Sequence, residues 1–389
     1  MKKTIRDVDV SDKRVLVRVD LNVPLKEGKV FDDTRIKATL PTIQYLREKG
    51  ARTILCSHLD RPKGKVVEKL RLDPVACRLS HYLDRTIFKV NHIANSEAVR
   101  AVERMQNSDV LLLENTRFHP GEKQNDSSFA RSLAALADLY VNDAFAAAHR
   151  AHASTEGVAH FLPAVAGLLM ARETETIEKS LENPENPFVA VFGGSKVSDK
   201  IDVIESFLDK CDIILIGGGM ANTFLKQKRV NVGKSKVEND YMDTVAKLLQ
   251  KAGDRIVLPV DMVVAEAFEE TAAHRTVDAA SVPDDWHIMD IGPKTVELFA
   301  DKLDGAGTVV WNGPLGVNEM APFAEGTYRI ARTLSVLDAV TLVGGGDSAA
   351  AVAAAGVTAN MTHVSTGGGA FLDFLAGKDL PGLAALEEK

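Results

Sequence analysis

VAVFGGSK (Val189 to Lys196), IILIGGGM (Ile213 to Met220), TLVGGGDS (Thr341 to Ser348) and HVSTGGGA (His363 to Ala370) follow one plan, a short apolar run that stops at a cluster of glycines. Such β-branched, fully apolar runs read as buried strands of a parallel sheet. Glycines directly after them let backbone N–H groups approach a ligand at the strands' carboxyl ends, where backbone donors and a helix N-terminus make an anion site. One loop of this kind carries little weight, because strand-to-helix turns use glycine for steric reasons alone. Four in half a chain point to phosphate. None fits GxxxxGK[ST], since Lys196 follows Gly193 and Gly194 at the wrong spacing, and none is GxGxxG. Neither a Walker A loop nor a dinucleotide fingerprint is present.

Outward from these loops, strands alternate with helical stretches in both halves. The pattern predicts an α/β fold with two doubly wound, parallel-sheet (Rossmann-like) domains. In the first half VLVRVD, ARTILCS, TIFKV, DVLLLEN and DLYVNDA are strand candidates, and IKATLPTIQYLREKG, LDPVACRLSHYLD and SSFARSLAALA carry helical spacing. In the second half the candidates are PFVAVFGG, CDIILIGGG, RIVLPVDMVVA, TVVWNGP, AVTLVGGG and THVST. Between the halves a polar helical stretch from Met170 ends in the breaker Asn-Pro-Glu-Asn-Pro. We therefore expect a first domain over 1–170, a hinge helix and linker over 171–187 and a second domain over 188–371. The short, partly apolar tail 372–389 should dock back on the first domain.

Length 389 with 45% apolar residues suits a globular chain with two cores. There is no uncharged apolar stretch of about 18 residues, and MKKTIRDVDV lacks the apolar core of a signal peptide. Neither export nor membrane insertion is indicated, and a cytoplasmic location is expected. The three cysteines, Cys56, Cys77 and Cys211, show no CxxC or zinc spacing and read as reduced and structural. Charge divides unevenly: residues 1–170 hold 27 Lys+Arg against 21 Asp+Glu, whereas the remainder holds 20 against 33. The first half attracts anions. Its basic groups also fall in or just after strand candidates: Arg18 in VLVRVD, His58 and Arg61 after TILCS, Arg117 after LLLEN. They look gathered into one site.

The runs VRVDLNVP, DDTRIKA, SHLDRP, LLLENTRFH, AAHRAHAS, FGGSKVSDKI, IGGGMANTFLK, LPVDMVVA, VVWNGPLGVNE, VGGGDSAAA and HVSTGGGAFLDFLAGKDLPGL occur in this order across nearly the whole chain. In this they resemble the phosphoglycerate kinase family from end to end. The resemblance implies that 3-phosphoglycerate binds the first domain and Mg-nucleotide the second, in an enzyme that closes about a helical hinge. The implied partners are small molecules (3-phosphoglycerate, 1,3-bisphosphoglycerate, ATP and ADP), with Mg²⁺ arriving on the nucleotide. No nucleic acid or membrane is involved, and a monomer is the family's habit.

Residue by residue, Arg18, Asp20 and Asn22 stand on VRVDLNVP, a strand and its exit, alternating to one face. The resemblance gives Asp20 and Asn22 the glycerate hydroxyl and carboxyl end; on the residues alone, Asp20 could instead pair with Arg18. His58, Arg61, Arg117 and Arg150 are implied at the 3-phosphate and Arg35 at the reacting carboxyl, a task that suits the planar, permanently charged guanidinium fork. His149 and His152 flank Arg150 and read as local packing or hydrogen-bond partners. Lys196 and Lys200, four apart, would share one face of a helix's first turn beside Gly193 and Gly194, a costly pairing unless an anion lies between them. Asp347 either caps a helix or contacts Mg²⁺, the family's use for it.

The resemblance further assigns Met289, Asn312, Pro314, Gly316, Val317 and Glu319 to the ribose and adenine side. Gly217 and Gly218, with Gly219, lie under the base, and Gly345, Gly346 and Ser348 by the phosphates. Arg35, Lys200, Lys196, Gly346 and Gly369 are implied in catalysis. No Ser-His-Asp set or activated cysteine is needed, because the implied nucleophile is the substrate's own carboxylate, ionised at neutral pH. Four positions depart from the family's usual pattern: Asp60 for Gly, Thr116 for Leu, Ser348 for Thr, and Phe371 for a small residue.

Overall fold

The computed structural model describes residues 1–389, which divide into two compact units: Met1–Glu175 with Asp379–Lys389, and Thr176–Lys378. The division falls inside one helix, Leu168–Glu182.

In the first unit six strands form a parallel sheet in the spatial order Phe88–Lys89, Val110–Leu112, Arg52–Cys56, Arg14–Arg18, Leu139–Asn142, Ala164–Ala166. Val15, Leu16 and Val17 are wholly buried, as the unbroken apolar run requires of a strand covered on both faces. Helices Thr34–Glu48 and Asp73–Leu83 pack Ile36, Ile43, Leu46, Val75 and Leu79 into the same core as Val15, Val17 and Leu55. Strand order turns from one side to the other between Arg14–Arg18 and Leu139–Asn142, so the loops leaving these two strands diverge there. Beside that point Asn142 donates from Nδ2 to the Gly382 carbonyl (2.9 Å), tying down the C-terminal segment. Its neighbour Asp143 accepts from the Leu169 and Met170 N–H groups (2.8 and 3.2 Å) at the start of helix Leu168–Glu182.

The second unit repeats the plan with the order Ile256–Val257, Ile213–Ile216, Phe188–Phe192, Thr308–Asn312, Val340–Gly344, His363–Val364. The switch point lies between Phe188–Phe192 and Thr308–Asn312. The stretch RIVLPVDMVVA, expected as one strand, is two: Ile256–Val257 closes the parallel sheet, and Asp261–Ala265 begins a separate antiparallel sheet with His274–Asp278 and His287–Ile291. Pro259 separates them, as a residue without an N–H does in a strand. Phe371, one of the four departures, is fully buried against Gly344, where an added Cβ would fall inside its ring.

Two outcomes are expected. Gly344→Ala should destabilise the second unit by ~1–3 kcal/mol through overpacking and Phe371→Ala by ~3–5 kcal/mol through the cavity it leaves. In the double variant the Gly344→Ala cost should vanish, because the ring it strikes is gone; additive losses in a urea-unfolding cycle would contradict this packing. Burial raises Asp143 from 3.8 to about 7. The folded state therefore holds a proton that the unfolded chain releases, and this group's contribution is lost as pH rises through that interval. The advantage of Asp143→Asn over the parent in urea midpoint should grow between these pH values and level off above them.

Candidate active site

The strand ends of the first unit bring basic groups together. The strand of VRVDLNVP stops at Arg18; Val19 N–H still bonds Cys56 C=O (3.1 Å), but at Leu21 the N–H turns to the Ser57 hydroxyl (2.9 Å). Asp20 and Asn22 therefore sit on the exit loop. Asp20 pairs with Arg35 (2.8 Å), not with Arg18. Arg35 also reaches the Asn22 carbonyl (3.3 Å), so the carboxylate and carbonyl orient the guanidinium. Arg18 is itself buried: Nε donates to the Ser154 hydroxyl, Nη1 to the Val19 carbonyl, and Nη2 lies 2.9 Å from His58 Nδ1.

Arg117 is buried, and its Nε has no hydrogen-bond partner. Burial, followed by Arg18 and Arg150, lowers it to about 10. Burial and the neighbouring Arg18, Arg117, Arg35 and His152 push His58 well below its ordinary value, and His152 falls to about 4 for similar reasons. So many desolvated donors around one strand edge make a strongly positive, anion-seeking field. Arg61 and Arg150 are exposed, and Arg150 Nε contacts His149 Nε2 at 2.9 Å. Asp60 enters through its backbone: its N–H donates to Asn22 Oδ1 (2.8 Å) and its carbonyl accepts from Arg117 Nη1 (2.8 Å). Its φ of +52° is in the left-handed region, which explains why glycine suits the position and why Asp can hold it.

In the second unit a cavity of about 470 Å³ opens at the switch point. Of the residues expected at a nucleotide, Gly194, Gly218, Met289, Pro314, Gly316, Val317, Glu319 and Asp347 line it. Gly193 N–H bonds the Asn312 carbonyl and Gly194 N–H that of Pro314, and a Cβ on Gly193 would strike the Pro314 carbonyl. The two loops thus pack back to back. Asn312 spends its Nδ2 on the Gly344 carbonyl (2.7 Å), Ser348 accepts from the Gly313 N–H (2.6 Å), and buried Trp311 donates to the Gly313 carbonyl (2.8 Å). These side chains brace the loops from behind. Gly217 N–H is likewise used, by the Phe192 carbonyl.

Lys196 and Lys200 do not share a helical turn. Residues 193–200 form bends and turns closed by Lys200 N–H to Val197 C=O, and the helix begins at Ile201. Lys196 is exposed. Lys200 is half-buried, with Nζ 3.0 and 2.9 Å from where Cβ atoms on Gly194 and Gly313 would lie. Burial lowers its pKa, opposed by Asp199 and Asp347. Asp347 is not a cap either, because Gly345 takes that position with φ +103° ahead of helix Gly346–Ala354 and leaves the Asp347 carboxylate exposed at the cavity. Gly369 lies in the first turn of helix Gly368–Leu375. No group of three or more His, Cys, Asp or Glu side chains could cage a metal. One carboxylate at a cavity mouth fits a hard cation that takes its other ligands from phosphate and water.

Several wall residues went unread in the sequence. Lys234, Ser235 and Lys236 line the cavity, and their GKSK run was the available signal. Asn222 lines it too, with its buried Oδ1 unpartnered. Asp290, raised to about 7 by burial, receives the Gly326 and Ile291 N–H groups and shapes the wall beside Gly316.

Residues 5–378 match the family model described as phosphoglycerate kinase. Phosphoglycerate kinases from Moorella thermoacetica and Pelotomaculum thermopropionicum are each 57% identical over 391 residues, covering all of this chain and all of each relative. The structure of phosphoglycerate kinase from Coxiella burnetii superposes with TM-score 0.87 at 42% identity, and that from Pyrococcus horikoshii with 0.90 at 34%; both cover 99% of this chain and 98% of their own. With its glycine loops and basic cluster at the carboxyl ends of two parallel sheets, the chain belongs to the phosphoglycerate kinase family.

Proposed function

We propose that this chain catalyses reversible phosphoryl transfer between 1,3-bisphosphoglycerate and MgADP, giving 3-phosphoglycerate and MgATP. The observation that carries the reading is full-length membership of the family, at 57% identity to relatives of that name. The basic cluster of the first unit is the 3-phosphoglycerate site. His58, Arg61, Arg117 and Arg150, with Arg18 behind them, take the 3-phosphate, Asp20 and Asn22 the hydroxyl and carboxyl end, and Arg35 the carboxyl that gains or loses phosphate. Arg117, buried with an unused Nε–H, is a donor waiting for an acceptor. The cavity of the second unit takes the nucleotide, with the base against Gly217, Gly218, Met289, Pro314, Gly316 and Val317 and the ribose near Glu319.

Chemistry here is positioning and charge neutralisation, because the substrate carboxylate needs no general base. Arg35, held by Asp20, and Lys200, poorly solvated and so felt strongly, balance charge on the group in flight. Lys196 and the amides of Gly346 and Gly369 assist. Asp347 would hold the Mg²⁺ that travels with the nucleotide, which neutralises the phosphate oxygens. Since the acyl end and the nucleotide bind different units, catalysis includes a closing motion that also keeps water from the acyl phosphate. The reading extends to a cytoplasmic monomer, as the family resemblance implies; the three cysteines are free, and no helix is long and apolar enough to cross a membrane.

ATP-dependent acyl phosphate formed from 3-phosphoglycerate and trapped as a hydroxamate tests this directly. Product should appear with 3-phosphoglycerate, not with acetate or glycerate, and vanish with EDTA. Arg35→Ala or Lys200→Ala should lower the rate by ~10²–10⁵-fold, and near-normal turnover in either would overturn its assignment.

A further inference from the structure

Glu122 lies in the polar run HPGEKQND, yet its side chain is wholly buried. Its carboxylate accepts from the Thr116 hydroxyl (3.1 Å), the Ser154 hydroxyl (2.6 Å) and the Ser154 N–H (3.0 Å). The Ser154 oxygen in turn accepts from Arg18 Nε (2.9 Å), and Arg18 Nη2 meets His58 Nδ1 at 2.9 Å. Thr116, Glu122, Ser154, Arg18 and His58 thus form one buried chain drawn from four separate stretches of sequence.

The direction of each bond is fixed by chemistry. A carboxylate only accepts, so Ser154 spends its proton on Glu122 and keeps lone pairs for Arg18. A guanidinium only donates, so His58 Nδ1 must accept and the ring's single proton sits on Nε2. Thr116, where the family's usual residue is Leu, adds a third donor to the carboxylate and helps to fix its position.

We propose that Glu122 is a positioning residue which, through Ser154 and Arg18, locks His58 as the Nε2–H tautomer, so that His58 meets the substrate phosphate as a neutral hydrogen-bond donor. The proposal rests on the assignment of His58 to that phosphate. Facing His58 are the cations Arg18, Arg117 and Arg35 and the imidazole of His152; the buried carboxylate of Glu122 is joined to them through Ser154 and Arg18 and also acts on Arg117. An imidazolium there would add one more cation to an already crowded set. A neutral donor keeps its proton for the phosphate at any working pH.

Long-range ¹H–¹⁵N correlation on ¹⁵N-histidine-labelled protein without substrate reads the tautomer, with His58 assigned by His58→Gln. Nε2 should be protonated and Nδ1 bare from about pH 5.5 to 8; an Nδ1–H tautomer or an imidazolium in that range overturns the proposal. In Glu122→Gln and Ser154→Ala the His58 signals should shift toward mixed tautomers. KM for 3-phosphoglycerate should rise about tenfold while KM for ATP holds. Thr116→Val should do the same more weakly. Folded variants that leave both His58 and the 3-phosphoglycerate KM unchanged contradict the relay, and Ser154→Ala carries this test if Glu122→Gln does not fold. An unchanged 3-phosphoglycerate KM in His58→Gln would instead overturn the substrate assignment and leave the tautomer finding intact.

Discussion

In each of the two six-stranded sheets every strand runs parallel, and this single constraint arranges everything else. Parallel strands leave at the same edge, so in each unit the loops after them are gathered at that edge whatever their separation in sequence. In the first unit the edge receives Asp20, His58, Arg61, Arg117 and Arg150; in the second it receives Gly193–Gly194, Gly217–Gly219, Gly313–Pro314 and Gly345–Asp347. The two edges solve the same problem differently. One presents guanidinium and imidazole side chains, and the other presents close-packed glycine loops, whose Gly193, Gly194, Gly217 and Gly218 amides are spent within the protein, with a single half-buried lysine.

The guanidinium edge is costly to build. Taking Arg18, Arg117 and His58 out of water beside one another is repaid only by partners, and an unpartnered buried polar group costs on the order of 1–3 kcal/mol. Part of that is met within the protein. Arg18 is spoken for by Ser154, the Val19 carbonyl and His58, while Arg35 is held by Asp20. Arg117 is the exception, with one nitrogen on the Asp60 carbonyl and Nε on nothing. On the proposed assignment an anionic ligand would relieve the remaining deficit, and the same deficit would favour phosphate over a neutral hydroxyl.

Much of this was legible beforehand. Strands such as Arg14–Arg18 and Phe188–Phe192 declare themselves by β-branched apolar runs, and in the second unit glycines directly after the strands mark the loop edge. Ala164–Ala166 escaped because three small residues make no such run, and His274–Asp278 because an exposed, polar strand pairs antiparallel without burying an apolar face. Spacing misled at Lys196 and Lys200, since four residues apart means one helical face only if a helix has begun, and the turn from Val197 to Lys200 delays it. Partner choice was hidden as well. Asp20 meets Arg35 rather than the nearer Arg18 because Arg18 points into the buried Ser154 network. Glu122 was invisible because a glutamate among Lys, Gln, Asn and Asp reads as solvated; only tertiary structure shows it buried and bonded to Thr116 and Ser154.

On the proposed reading, the basic edge of the first unit holds a phosphate. Isothermal titration of 3-phosphoglycerate and of glycerate, into the parent and into Arg117→Ala, measures it without requiring turnover. The parent should bind 3-phosphoglycerate and discriminate strongly against glycerate, and Arg117→Ala should lose most of that discrimination while still binding MgADP. Equal affinity for the two acids in the parent, or discrimination undiminished in Arg117→Ala, would contradict it.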